Sequence, residues 1–159
     1  MEAGAPGQLI DALCVQVDRI RFALPIASVE EVLPAAAPTP IPGAPPYLLG
    51  ALNVRGEVLG VLDLRRYVGA PPRAVEDGDH LILIRAGALR VLLHVDRALD
   101  LYGIDPRRVR PLEGPERPVR SVVALDDGVL LVGDAELFLT ETEARAVQEA
   151  LACAADARA

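Results

Sequence analysis

Few side chains in this sequence are equipped for covalent chemistry. There are two serines (Ser28, Ser121), two cysteines (Cys14, Cys153), two histidines (His80, His94) and no lysine. No serine or cysteine lies in a nucleophile motif with a base beside it. Without lysine, the chain has neither a Walker phosphate loop nor a Schiff-base amine. His80 and His94 are separated by strand and turn residues and no other ligand types cluster around them, so no metal is expected. The stretch Glu76-Asp77-Gly78-Asp79 superficially resembles a calcium loop but lacks the closing Glu, and reads as a solvated turn between two halves of the chain. No cofactor is expected. Cys14 and Cys153 lie near opposite ends without CxxC spacing and read as ordinary thiols of a reducing compartment.

What remains is recognition, and the residue best equipped for it is Arg55. Arg55-Gly56 separates two strand-like runs, so the guanidinium stands at a hairpin tip, where its planar fork can meet a carboxylate with two parallel hydrogen bonds. The blander reading is a solvated turn arginine, or one pinned to Glu57 or Asp63. Gly50 and Gly56 serve the backbone through close approach or positive φ. Asn53, the only asparagine, is expected to brace the turn by bonding to the backbone.

Alternating apolar runs bounded by turn residues predict the elements that carry this tip. Hairpins are expected over 13–17 and 20–24, over 48–54 and 57–62, over 80–85 and 89–95, and over 121–125 and 129–132. Ser28 with Glu31 three residues later is a capping-box pattern, which predicts a short helix over 29–33 ended by Pro34. Val29 and Val32 on that helix read as core, and Glu31 as its capping acid. Asp63 and Asp134 read as helix caps. A short helical turn is expected over 96–101. Thr140 and Glu143 form another capping box, which opens a helix carrying Ala144, Val147, Ala150 and Leu151 on one face. The Pro-rich segment 34–46 predicts an extended, exposed connector.

The halves echo one another. Ile20-Arg-Phe-Ala-Leu aligns with Leu89-Arg-Val-Leu-Leu at an offset of 69, and Val61-Leu-Asp with Val132-Gly-Asp at 71. This predicts two similar all-β lobes in series, over about 12–76 and 77–139, followed by a helix over 140–155.

Composition removes other classes. All 16 basic residues are arginines scattered among 23 acids, giving a net charge of −7, so no nucleic-acid binding is expected. The longest uncharged run, 32–54, holds six prolines and cannot form a lipid-exposed helix. No secretory leader pattern opens the sequence, and a cytoplasmic location without membrane insertion is expected.

The ordered set Phe22-Ala-Leu-Pro-Ile-Ala-Ser-Val-Glu-Glu-Val, Ile41-Pro-Gly-Ala-Pro-Pro-Tyr-Leu-Leu-Gly-Ala-Leu-Asn-Val-Arg-Gly-Glu-Val, Val61-Leu-Asp-Leu-Arg and Val95-Asp-Arg-Ala-Leu-Asp resembles the CheW family over about residues 12–151. The resemblance implies an all-β fold of two SH3-like five-stranded β-barrel lobes with short helices and a C-terminal helix. It implies a non-catalytic scaffold that couples chemoreceptors to a CheA-type histidine kinase in chemotaxis or motility signalling. The implied partners are the regulatory domain of that kinase and the hairpin tip of a methyl-accepting chemoreceptor. The protein-binding residues implied are Val29, Glu31, Val32, Gly50, Asn53, Arg55 and Gly56. Gly60, His94 and Gly133 depart from the family pattern, which commonly has Pro, an aliphatic residue and a large apolar residue there. Two other readings stand beside this one: a diverged decoy that binds receptor but not kinase, and a β-barrel sensor of a small ligand.

Overall fold

The computed structural model describes residues 8–113 and 118–156, and among these the chain is built mainly of strands. In chain order they are β1 (Ile10–Val17), β2 (Ile20–Pro25), β3 (Val29–Pro34), β4 (Leu48–Val54) and β5 (Glu57–Asp63), followed by helix α1 (Leu64–Val68). Then come β6 (His80–Ala86), β7 (Leu89–Val95), β8 (Arg97–Ile104), β9 (Val109–Pro111), β10 (Val119–Leu125), β11 (Gly128–Gly133) and helix α2 (Glu141–Asp156). The strands form two sheets, ordered β8-β1-β2-β11-β10-β9 and β3-β6-β7-β5-β4.

The four hairpins lie where the alternation places them, and the expected all-β fold with a C-terminal helix is what is found. Two segments differ. Residues 29–34 are a strand, not a helix: β3 pairs with β6, with a bulge between Val29 and Glu31. Two β-branched valines and the backbone of β6, which β3 completes as the sheet edge, override the local capping-box signal. Residues 97–104 are likewise strand β8, paired with β1.

The echo between halves is structural, but the sheets do not divide the chain at 76/77. Matching β1–β5 to β6, β7, β8, β10 and β11 puts the two sheet orders in register strand for strand, with β9 as a short added edge. Each sheet takes the first hairpin of one half and the later strands of the other. After β2 the chain crosses to the second sheet as β3, and after β7 it crosses back as β8. The halves are therefore interlocked rather than placed in series.

Burial follows from this. The run Leu81-Ile-Leu-Ile84 in β6 is buried throughout. Leu81 and Leu83 join Leu59, Val61 and Leu92 in the core of their own sheet, while Ile82 and Ile84 join Leu13, Phe22, Leu62 and Leu93 in a core shared between the sheets. The first sheet keeps its own core around Ala23, Ile104, Leu130 and Val132. Phe138, just after β11, seals the shared core against Phe22 and lies edge-on to Tyr67 of α1, with ring centroids 6.0 and 4.9 Å away. Helix α2 begins at the expected capping box: Thr140 Oγ1 accepts the Glu143 N–H at 3.1 Å, and Glu143 Oε1 accepts the Thr140 N–H at 2.8 Å. No described helix is long and apolar enough to cross a membrane.

Candidate functional site

The β4–β5 turn is tight. Its two central residues, Arg55 and Gly56, have φ of 51° and 90°, as a two-residue hairpin turn matched to strand twist requires. Glycine adopts this backbone freely, whereas an arginine there costs about 1–2 kcal/mol. Asn53 Oδ1 accepts the Gly56 N–H at 2.8 Å and closes the turn, the bracing role expected of it.

Arg55 does not stand free, and its partner is neither Glu57 nor Asp63. Its guanidinium folds back on Glu31 of β3, with one nitrogen 3.1 Å from Oε1 and the other on Oε2, a forked pair. The Arg55 hydrogen bonds hold the Glu31 carboxyl below its ordinary range, and the same contact raises the guanidinium. β3 and β4 are the two edges of their sheet, so this pair forms only because the sheet curls back on itself. Leu33 of β3 and Leu49, Leu52 and Val54 of β4 meet around the same core inside the curl.

The pair belongs to a charged rim. Arg90 bonds Glu30 at 2.8 Å and also Glu57, and Arg85 reaches Glu30 at 3.4 Å. The bulge in β3 is what brings the consecutive acids Glu30 and Glu31 both to this rim. The Arg55 side chain is 65% exposed, and exposed ion pairs contribute little to stability.

A second cluster is buried, and sequence reasoning missed it. Asp79 is 4% exposed, not part of a solvated turn. Its carboxylate accepts both Arg73 terminal nitrogens at 2.8 Å, the Glu76 N–H at 2.9 Å and His94 Nε2 at 2.8 Å. The Arg73 bonds hold Asp79 far below the usual carboxylate range despite burial, and Asp79 in turn raises Arg73. Arg73 also meets Asp96 at 2.9 Å. Arg65 of α1 meets Asp96 at 2.6 Å and Asp18, in the β1–β2 turn, at 2.7 Å. Asp18 belongs to one sheet and α1 extends the other, so the chain of charges ties the two sheets together. With both oxygens of Asp79 on Arg73, the group is an ion-pair core, and no set of three metal-ligating residues occurs among the described residues. No local pattern signalled it: Asp63 and His94 come side by side only through the parallel pairing of β5 and β7.

Comparison with known proteins now adds to the geometry. The family model for the CheW-like domain matches residues 11–143. The chain belongs to the CheW-like domain family. A probable chemotaxis protein CheW of Rhizobium etli is 30% identical over 131 residues, covering 79% of this chain and 84% of that protein. The protein FrzA of Myxococcus xanthus is 44% identical over 98 residues, covering 62% and 61%. The crystal structure of the scaffolding protein TtCheW from Thermoanaerobacter tengcongensis superposes with a TM-score of 0.71 at 22% identity, covering 79% of this chain and 88% of that one, and shares the fold.

Of the residues that CheW resemblance put forward, the structure brings Glu31, Asn53, Arg55 and Gly56 together at the rim. Val29 packs against the shared core as read, but Val32 does not: on edge strand β3 it is 41% exposed, because a strand turns alternate residues to opposite faces. Gly50 serves the backbone: a Cβ there would stand 2.3 Å from the Thr39 carbonyl oxygen, where the Pro-rich connector bridges to β4. That connector is largely exposed, as expected, with Ile41 and Ala44 turned onto the core.

The departures Gly60 and Gly133 are packing solutions. A Cβ at Gly60 would lie 3.2 Å from Val147 of α2, so the glycine lets the helix settle on β5. A Cβ at Gly133 would lie 2.1 Å from the buried Phe22 ring. Gly133→Val is therefore expected to destabilise by about 1–3 kcal/mol through overpacking. Urea denaturation against the unsubstituted protein measures it, and an unchanged midpoint would mean that Phe22 repacks freely.

Proposed function

We propose that this protein is a non-catalytic cytoplasmic adaptor that couples a chemoreceptor to a CheA-type histidine kinase, with the Arg55–Glu31 rim as one of its contact surfaces. The observation that carries the reading is Arg55 itself. It occupies a backbone conformation costly for arginine, is mostly exposed, and makes an ion pair that adds little to stability. An exposed guanidinium held at a hairpin tip, with little stability at stake, is free to exchange Glu31 for a partner carboxylate. Family membership supports the identity of the partners: the kinase's regulatory domain and the receptor's hairpin tip. Val29 and Gly50 act in this account as scaffold beneath the rim, Val32 as an exposed apolar residue on β3 beside it, and Asn53 and Gly56 as the brace of its turn.

Arg55→Ala is expected to leave unfolding free energy within about 0.5 kcal/mol of the parent, as for an exposed site. It should weaken partner binding about tenfold or more, as for loss of one member of a hydrogen-bonded charge pair. Thermal unfolding and calorimetric titration measure the two effects. Loss of the fold would assign Arg55 a structural role instead.

Complementation of a strain lacking its coupling protein tests the adaptor reading. Restored receptor control of kinase activity is the expected result. Receptor binding without restored control would make the protein a decoy.

A further inference from the structure

His94 is wholly buried in β7, between two carboxylates. Its Nε2 lies 2.8 Å from Asp79 Oδ2, and its Nδ1 lies 3.6 Å from Asp63 Oδ1 with no hydrogen-bond partner in reach. An ionised carboxylate only accepts, so the proton of a neutral ring must sit on Nε2 to satisfy the short contact. That leaves the Nδ1 lone pair facing the Asp63 oxygen in a site without solvent exposure, an unfavourable pairing of two acceptors. A second proton, on Nδ1, turns the same contact into an attraction.

The surroundings favour that proton. Asp63 faces the ring from the end of β5, and Asp79 from the start of β6 with Arg73 and the half-exposed Glu76 behind it. Asp96 follows β7, and Arg65 of α1 and Asp18 of the β1–β2 turn complete the cluster. Two arginines thus face four aspartates, and a protonated His94 adds a third positive charge where the acids still outnumber the bases.

We propose that His94 is a proton-dependent latch on the junction between the two sheets, held closed as an imidazolium between Asp63 and Asp79 and released when it loses its Nδ1 proton. Asp63 transmits the release. It caps α1 by accepting the Arg65 N–H at 3.0 Å, and the Arg65 side chain is the tie to Asp96 and Asp18 across the sheets. Burial pushes the imidazole pKa down, but the Asp63 and Asp79 carboxylates outweigh it and the net direction is up. A raised histidine stabilises the fold fully below its unfolded value of about 6.5, and that contribution is lost as pH rises through the folded value. His80 lies apart from this cluster, its Nδ1 accepting the Ala98 N–H at 3.3 Å.

The test is ¹⁵N NMR of the imidazoles across pH 5.5–9.5, with thermal unfolding of the parent, His94→Leu and His80→Gln over the same range. The His94 ring is expected to stay doubly protonated past the point where an exposed histidine would be neutral. The folding equilibrium constant of the parent should then fall by up to tenfold per pH unit above about pH 6.5, until the folded value is passed. His80→Gln should keep that fall and His94→Leu should abolish it. A His94 ring already neutral at pH 6.5 overturns the proposal by itself, whether or not His94→Leu folds. A fall that survives in a folded His94→Leu variant overturns it as well.

Discussion

Replacement of Asp79 by Asn is expected to cost about 3–5 kcal/mol of unfolding free energy, the scale on which removing one member of a buried ion pair destabilises a fold. The carboxylate takes hydrogen bonds from both Arg73 nitrogens, the Glu76 N–H and His94 Nε2 while itself 4% exposed. An amide keeps the shape but loses the charge, and it presents donor hydrogens to a site where every neighbour is a donor. Chemical denaturation at neutral pH measures the loss. Because its folded pKa is depressed, Asp79 contributes its stability above about pH 4 and loses it as pH falls through the folded value. The variant should therefore show a shallower acid limb than the parent. Equal stability at pH 7 would mean that the buried charges are solvated in solution.

Leu62→Ala is expected to cost about 2–5 kcal/mol, the range for truncating a fully buried leucine. Leu62 sits in β5 opposite Leu93 of β7 and faces the shared core, while its neighbour Val61 faces the core of its own sheet. The substitution opens a cavity where the interlocked halves meet, so relaxation from one side alone cannot fill it. A cost well under about 1 kcal/mol, read from denaturant midpoints, would place Leu62 on the wrong face of its strand.

How far the sequence could be read depended on the range of the interactions. The hairpins 10–25, 48–63, 80–95 and 119–133 were legible because their partners are adjacent and their turns carry the right residues. β3 and β8 were not. Each pairs with a hairpin of the other half, Val32 with Ile82 and Ala98 with Val15, and a local capping-box pattern says nothing of such a partner. The repeat was visible at offsets of 69 and 71, but a repeat does not say which copy a strand joins, so the exchange between sheets was hidden.

The site divides in the same way. The Arg55-Gly56 turn and its Asn53 brace follow from four consecutive residues, whereas the pairing with Glu31 needed β3 to be a strand at the curled edge of its sheet. Asp79 and His94 read as a solvated acid and an oddly placed histidine because neither signals its partner along the chain. The parallel pairing of β5 with β7 places Asp63 beside His94, and Asp79 meets His94 and Arg73 only through the folded loop before β6.

We propose that the kinase's regulatory domain is the partner that meets the Arg55 rim. Calorimetric titration of the purified protein against the CheA-type regulatory domains encoded in its own genome tests it most directly, with Arg55→Ala measured alongside. Binding of one such domain, weakened about tenfold or more by a substitution that leaves the fold intact, is the predicted result. Failure of the folded protein to bind any of them, or equal binding by Arg55→Ala, would contradict it.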